Sequence, residues 1–188
     1  MASANPKLST VIGDYDAFFL RQRARLNDRG IDIDGCEISH FAYRTATFDE
    51  YLHKRGQIET HCHSNIETVW NGRPISIMQL TSPRGLSEGF RLPTIELIGP
   101  VHRRVYPMGL EHVGVVIGPD VDEFSRTHRH ALTGQQFQSE ECEPYYVTFF
   151  EDFSTVKFYD QSLVRICEQQ HGRQYEGFHH VADEVRDP

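Results

Sequence analysis

The sequence predicts an α+β fold in which one βαβββ module is used twice behind an N-terminal helix. Two observations carry that expectation. Ile38-Ser39-His40-Phe41-Ala42-Tyr43 and Leu110-Glu111-His112-Val113-Gly114-Val115, with their histidines 72 residues apart, each set one histidine inside an apolar, strand-like run. A second matching pair follows, Thr94-Ile95-Glu96-Leu97 in the first half and Thr155-Val156-Lys157-Phe158 in the second. Self-similarity on this scale marks a structural unit that is repeated.

Residues 8–30 read as a helix, because Leu8, Ile12, Tyr15, Phe18, Phe19 and Leu26 recur at helical spacing and Asp28-Arg29-Gly30 supplies a stop. The first module, 36–99, opens with a strand at 38–43. Thr47 is placed to cap a helix over 48–56, with Glu50 at the capping-box position and Gly56 ending it. A strand over 58–70 then turns at Asn71-Gly72-Arg73-Pro74 into a strand over 75–80. Asn-Gly is a strong hairpin signal, while Pro74 trims the start of the second strand. A glycine- and proline-containing loop at 82–89 leads to a strand at 92–98, and a polar connector occupies 99–109. The second module, 109–160, repeats the order. Its strand at 110–117 is followed by a helix over 121–132, entered at Pro119-Asp120, and by strands at 135–140, 145–150 and 154–159. Within 161–188 a terminal helix over 163–170 precedes a loosely ordered polar tail. All of this is expected to form a single domain over residues 1–188.

Composition narrows the function classes. With 38% hydrophobic and 24% charged residues the chain is typical of globular proteins. Nineteen basic against 27 acidic residues, a formal charge of −8, disfavours nucleic acid or an anionic membrane as the main partner. No apolar run is long enough to span a bilayer, and Met1-Ala2-Ser3-Ala4-Asn5-Pro6-Lys7 lacks a signal core. Cys36, Cys62, Cys142 and Cys167 form no CxxC pair and read as reduced thiols of a cytoplasmic protein. The expected partner is a small-molecule substrate or ligand, and a homodimer is allowed.

Alternate side chains of a strand share a face. His40 therefore lies with Ile38, Ala42 and Arg44, His112 with Leu110 and Gly114, Glu96 with Thr94 and Ile98, and Lys157 with Thr155 and Tyr159. If these faces line one cup, Ala42 and Gly114 leave room in it for a bound molecule. Two imidazoles and a carboxylate on rigid strands form a three-ligand set with open positions, the way catalytic metals are held. The bland reading is that a strand histidine is a satisfied core or surface group. Glu96 between Ile95 and Leu97 resists that reading, since a buried carboxylate demands a partner.

Ser39-His40-Phe41-Ala42-Tyr43-Arg44, Asn71-Gly72-Arg73-Pro74-Ile75, Ile95-Glu96-Leu97, Arg104-Val105-Tyr106-Pro107 with Leu110-Glu111-His112-Val113, and Thr155-Val156-Lys157-Phe158 together resemble the YecM family. That family is a bacterial branch of the vicinal oxygen chelate superfamily of glyoxalases, bleomycin-resistance proteins and dioxygenases. The resemblance implies paired βαβββ modules closing into an incomplete barrel around a metal, with ligands from the first and last strand of each module. His40, Glu96 and His112 match three of those positions, and Lys157 stands at the fourth. An ammonium does not ligate a metal, so three readings stay open. The centre is a His40–His112–Glu96 facial triad; or Lys157 binds a substrate carboxylate or phosphate; or Lys157 pairs with Glu96 and no metal binds.

The function expected is a metal-dependent isomerase, lyase or oxygenase holding Fe(II), Zn, Mn or Ni and chelating two substrate oxygens. The alternative is a non-catalytic small-molecule binder or resistance protein. Lys157, Tyr106 and Tyr159 are the candidate catalytic groups, Arg44 and Arg91 the candidate anion clamp. Arg73, Arg103-Arg104, Tyr145 and Tyr146 rank below them, as do His61-Cys62-His63 and His179-His180. Glu111 alternates away from His112 and is expected to face solvent or orient a neighbour.

Overall fold

The structure, a computed structural model, describes residues 6–100, 108–137, 139 and 142–182. The predicted N-terminal helix is two helices, α1 (Leu8–Ile12) and α2 (Tyr15–Asn27). Gly13 breaks the run with φ 88°, and the Asp14 side chain caps α2 by accepting from the Ala17 N–H at 3.0 Å. A period common to both helices hides such a break, because apolar spacing persists across it. Both helices bury that stripe: Leu8, Val11, Ile12, Phe18, Phe19 and Leu26 join the main core.

Next come β1 (Glu37–Arg44) and α3 (Phe48–Glu59). Thr47 caps α3 as expected, accepting from Glu50 N–H at 3.1 Å, while Glu50 reaches back to the N–H of Ala46 at 2.8 Å. Gly56 does not end α3, which continues to Glu59; buried Ile58 outweighs the roughly 1 kcal/mol that an interior glycine costs. The strand expected from 58 therefore starts later, as β2 (Cys62–Trp70). It turns at Asn71 and Gly72, both at positive φ (50° and 73°), into β3 (Arg73–Gly85). β3 runs through Pro74 and through half of the expected 82–89 loop before a 3-10 turn at Ser87–Gly89. β4 (Arg91–Ile98) follows.

The second half comprises β5 (Gly109–Val116), α4 (Val121–Thr127), β6 (Gly134–Gln135), β7 (Tyr145–Phe149) and β8 (Ser154–Tyr159). Here α4 and β6 are shorter than predicted. The tail is more ordered than predicted. After α5 (Leu163–His171), Tyr175 is buried, β9 (Gly177–His179) pairs with β2, and Ala182 is buried.

The described strands form one curved sheet ordered β6-β7-β8-β5-β1-β4-β3-β2-β9. Its centre is the antiparallel β1–β5 pair, flanked by β4 parallel to β1 and β8 parallel to β5. Thr155, His112, Ala42, Glu96, Ile77 and Ile66 form one row across the sheet; Lys157, Gly114 and His40 form an adjacent row. Paired residues share a face, so one face collects both histidines, Glu96 and Lys157. The opposite face presents Tyr43, Leu97, Ser76 and Glu67 in another row, toward α3.

Candidate metal centre

His112 and Glu96 stand on either side of Ala42 in the same row, two strands apart. With only a methyl group between them, the imidazole and carboxylate bend toward each other above Ala42, and His112 Nε2 lies 3.1 Å from Glu96 Oε2. His40 reaches the same point from the neighbouring row, with Nε2 3.2 Å from His112 Nε2 and 3.6 Å from Glu96 Oε2. Gly114 makes that approach feasible: a Cβ there would lie 2.3 Å from His40 Cε1. The expectation that Ala42 and Gly114 make room for a ligand is thus corrected. Their small size makes room for the side chains that converge.

The three atoms suit a metal. For bonds of about 2.0–2.1 Å, ligand atoms of a tetrahedral or octahedral ion stand about 2.8–3.4 Å apart. Two of the three separations fall in that range and the third just beyond it. The set could therefore hold a divalent metal, its ligand atoms all lying within 4.8 Å of one another.

Both imidazoles are held from behind. Ser39 Oγ lies 2.9 Å from His40 Nδ1 and accepts from the N–H of Leu163, at the start of α5, at 2.8 Å. Glu111 Oε1 lies 3.3 Å from His112 Nδ1, and Glu111 is ion-paired with Arg44. Consecutive strand residues normally point to opposite faces, but Ser39 and Glu111 each fall where the β1–β5 register shifts by one residue. Such bulges re-aim a side chain, here bringing it beside its neighbour's ring. Sequence alternation missed Ser39 and left Glu111 between facing solvent and orienting a neighbour; here it orients a neighbour. The available signal was that each histidine of the repeat is preceded by an oxygen-bearing residue.

Electrostatics favour a neutral His40 beside an ionised Glu96. Burial pushes His40 down to about 3, with His112 and Lys157 adding to the effect and Glu96 opposing it. Burial would raise the Glu96 carboxyl, but the hydrogen bond and charge of His112, then the charges of His40 and Lys157, hold it below the usual carboxylate range. Burial likewise opposes ionisation of Glu111, yet His112 and Arg44 bring it down to about 2.

The remaining candidates are placed as follows. Lys157 pairs with Gly114 as Glu96 pairs with Ala42, so the two occupy equivalent positions two residues beyond the partner histidine's level. Among the described residues the ion partners of Glu96 are His40 and His112, so the direct Glu96–Lys157 pair is not formed. The Tyr159 ring packs edge-on to His40 at 5.6 Å between centroids, and burial pushes its hydroxyl well above the ordinary tyrosine value. Arg44, expected in an anion clamp, is buried and committed to Glu111. Arg91 is exposed, donates to Pro83 O at 3.3 Å, and lines a cavity of about 580 Å³ that contains no triad residue. Tyr106 and Arg103-Arg104 lie outside the described residues. His61 bridges Arg84 and Pro6 O, and His180 pairs with Glu59; neither histidine joins a cluster of three ligands among the described residues. The four cysteines are free thiols. No helix among the described residues is long and apolar enough to cross a membrane.

Comparison with known proteins adds a family and a fold. The model of the YecM protein family matches residues 7–157. A solved structural-genomics protein, EC4020, superposes with a TM-score of 0.69 at 20% identity, covering 90% of this chain and 100% of its own, and establishes a shared fold. Weaker alignments include a putative dioxygenase from Bacillus subtilis, with a TM-score of 0.42 at 9% identity over 68% of this chain and 41% of that one. Another is the fosfomycin resistance protein FosX from Listeria monocytogenes, complexed with Mn(II) and 1S,2S-dihydroxypropylphosphonic acid, with a TM-score of 0.26 at 11% identity over 71% of this chain and 95% of that one. Comparison with curated proteins gives no match.

Proposed function

Because the chain belongs to the YecM protein family, we propose that it is a divalent-metal-binding protein of the vicinal oxygen chelate type, acting as an enzyme on a small, oxygen-rich substrate. In this reading the halves 36–99 and 109–160 are duplicate βαβββ modules of an incomplete barrel, and β1, β4 and β5 carry the metal ligands. One observation supports it above the others. His112 Nδ1 faces the acceptor-only carboxylate of Glu111, so a neutral His112 turns a lone pair toward Glu96 Oε2 at 3.1 Å and His40 Nε2 at 3.2 Å. A single proton can bridge one pair of these atoms. A metal ion satisfies all three.

Such an ion supplies Lewis acidity toward two neighbouring substrate oxygens. The chain's own residues do the rest. His40 and His112 are 0% and 1% exposed in their side chains, against 14% for Glu96, so substrate enters on the Glu96 side. Lys157, at the position equivalent to Glu96, draws in an anionic group of the substrate. Tyr159, whose buried hydroxyl keeps its proton, fixes the His40 ring rather than acting as a base.

Metal analysis of protein purified without chelators tests the reading. Near-stoichiometric Fe, Zn, Mn or Ni is expected, and a His40→Ala/His112→Ala double variant loses it. A second reading, a binder without turnover, is favoured by His112 lying between Glu96 and Glu111, where a proton alone could hold the two carboxylates. Metal-free protein whose melting temperature ignores added Fe(II), Mn(II), Ni(II) and Zn(II) decides for that reading.

A further inference from the structure

We propose that Glu111 and Arg44 are a positioning pair that makes the two histidines unequal ligands. This inference rests on the metal reading above, and one arm of its test is independent of metal. Glu111 and Ser39 occupy matching places: each precedes its histidine, each sits at a register shift of the β1–β5 pair, and each faces a ring Nδ1. Their chemistry differs. Ser39 is neutral, shares its hydroxyl with the Leu163 N–H, and can present either a proton or a lone pair to His40. Glu111 accepts only. It therefore requires a proton on His112 Nδ1 and directs the Nε2 lone pair toward the shared point, a role that carboxylates commonly serve behind metal-bound histidines.

Arg44 completes the device. It is 3% exposed, and its Nε donates to Glu111 Oε2 while Glu111 Oε1 is left for His112. Fixing one carboxylate oxygen aims the other. Arg44 and Glu111 come from adjoining strands of opposite halves, so docking of β1 on β5 sets the orientation of His112. Arg44 thus acts through Glu111 and then His112, without touching substrate.

The test uses the full-length protein. In metal-free samples, nitrogen-15 NMR of the histidine side chains should show His112 fixed in the Nδ1–H form. Glu111→Ala should release it to a mixture of tautomers. Zn(II) titration by calorimetry should then show affinity falling about 10–100-fold in Glu111→Ala, less in Glu111→Gln, whose amide oxygen still accepts, and least in Ser39→Ala. Removing Glu111 alone takes the ion partner from a buried guanidinium, so Glu111→Leu/Arg44→Met, which removes both charges, is the control for folding. If that double variant melts like the wild type and still binds Zn(II) weakly, the positioning role stands. Wild-type affinity in the folded double variant, or a mixed His112 tautomer in the wild type, overturns it. Absence of Zn(II) binding by the wild type with the tautomer fixed defeats the metal reading alone.

Discussion

Glu67 on β2 and Glu96 on β4 are carboxylates withdrawn into opposite faces of one sheet, with side chains 0% and 14% exposed. Glu67 is surrounded by donors. Tyr51 Oη donates at 2.6 Å, Arg55 Nη1 to both oxygens at 3.1 and 3.2 Å, Ser76 Oγ at 3.3 Å, and the N–H groups of Val181 and Ala182 at 2.7 and 2.5 Å. The hydrogen bonds outweigh burial and hold Glu67 below the usual carboxylate range. Among the described residues Glu96 has two imidazole nitrogens as its ion partners, both at its Oε2. One carboxylate is complete within the protein; the other, in the metal reading, is completed by a cation. Burial alone thus does not identify a functional acid, and the supply of protein donors does.

Removing each carboxylate in turn should have opposite consequences. Glu67→Ala should cost about 3–5 kcal/mol, because it removes the buried carboxylate that Arg55 pairs with and that the N–H groups of Val181 and Ala182 bind. Thermal unfolding, with limited proteolysis of the C-terminal segment, measures it. Glu96→Gln in metal-free protein should move the melting temperature only a few degrees while abolishing detectable Zn(II) binding by calorimetry. A Glu96→Gln variant as unstable as Glu67→Ala would make both residues structural.

Metal itself should stabilise only the Glu96 side. At a free concentration of 100 times Kd the gain is about 2.7 kcal/mol, or roughly 5–11 °C in a chain of this size, and should vanish in His40→Ala/His112→Ala. Differential scanning fluorimetry with and without chelator reads it. Gly114→Ala should give a smaller, selective effect: the new Cβ displaces His40 and weakens Zn(II) affinity about tenfold or more, while helix content by circular dichroism is kept.

The smallest effects are those of pH on metal-free protein. His40 is depressed to about 3, so its contribution is fully present above its ordinary value near 6.5 and is lost as pH falls toward 3. Glu67 is also depressed, so its contribution is present above about 4.5 and is lost only below that. Urea unfolding between pH 7 and 3 should show stability falling first in the His40 window. His40→Leu should flatten that first fall and leave the second; Glu67→Gln should do the reverse.

Much of this was legible in the residues. The histidine-bearing repeats, the Thr47 cap, the Asn71-Gly72 turn and the matching strand positions of Glu96 and Lys157 follow from local pattern, and each is found in the structure. Other features were hidden for physical reasons. Gly13 breaks a helix whose apolar stripe continues past it, and Gly56 fails to break one because Ile58 is buried beyond it. Arg44 looks like a free cation on a strand end; its partner Glu111 lies 67 positions away. The tail looks polar until Tyr175 and Ala182 find the sheet and Glu67 binds the backbone beside them.

Residue identity and spacing give the order of the elements from β1 to β5, the shared strand faces and the three candidate ligands, because helix and strand periods are local. Long-range pairing is what makes Ala42 and Gly114 bring side chains together instead of leaving space, turns Ser39 and Glu111 onto the histidine rings at bulges, and separates Glu67 from Glu96. Those outcomes depend on strand register and on partners far apart in the chain, which no local period encodes.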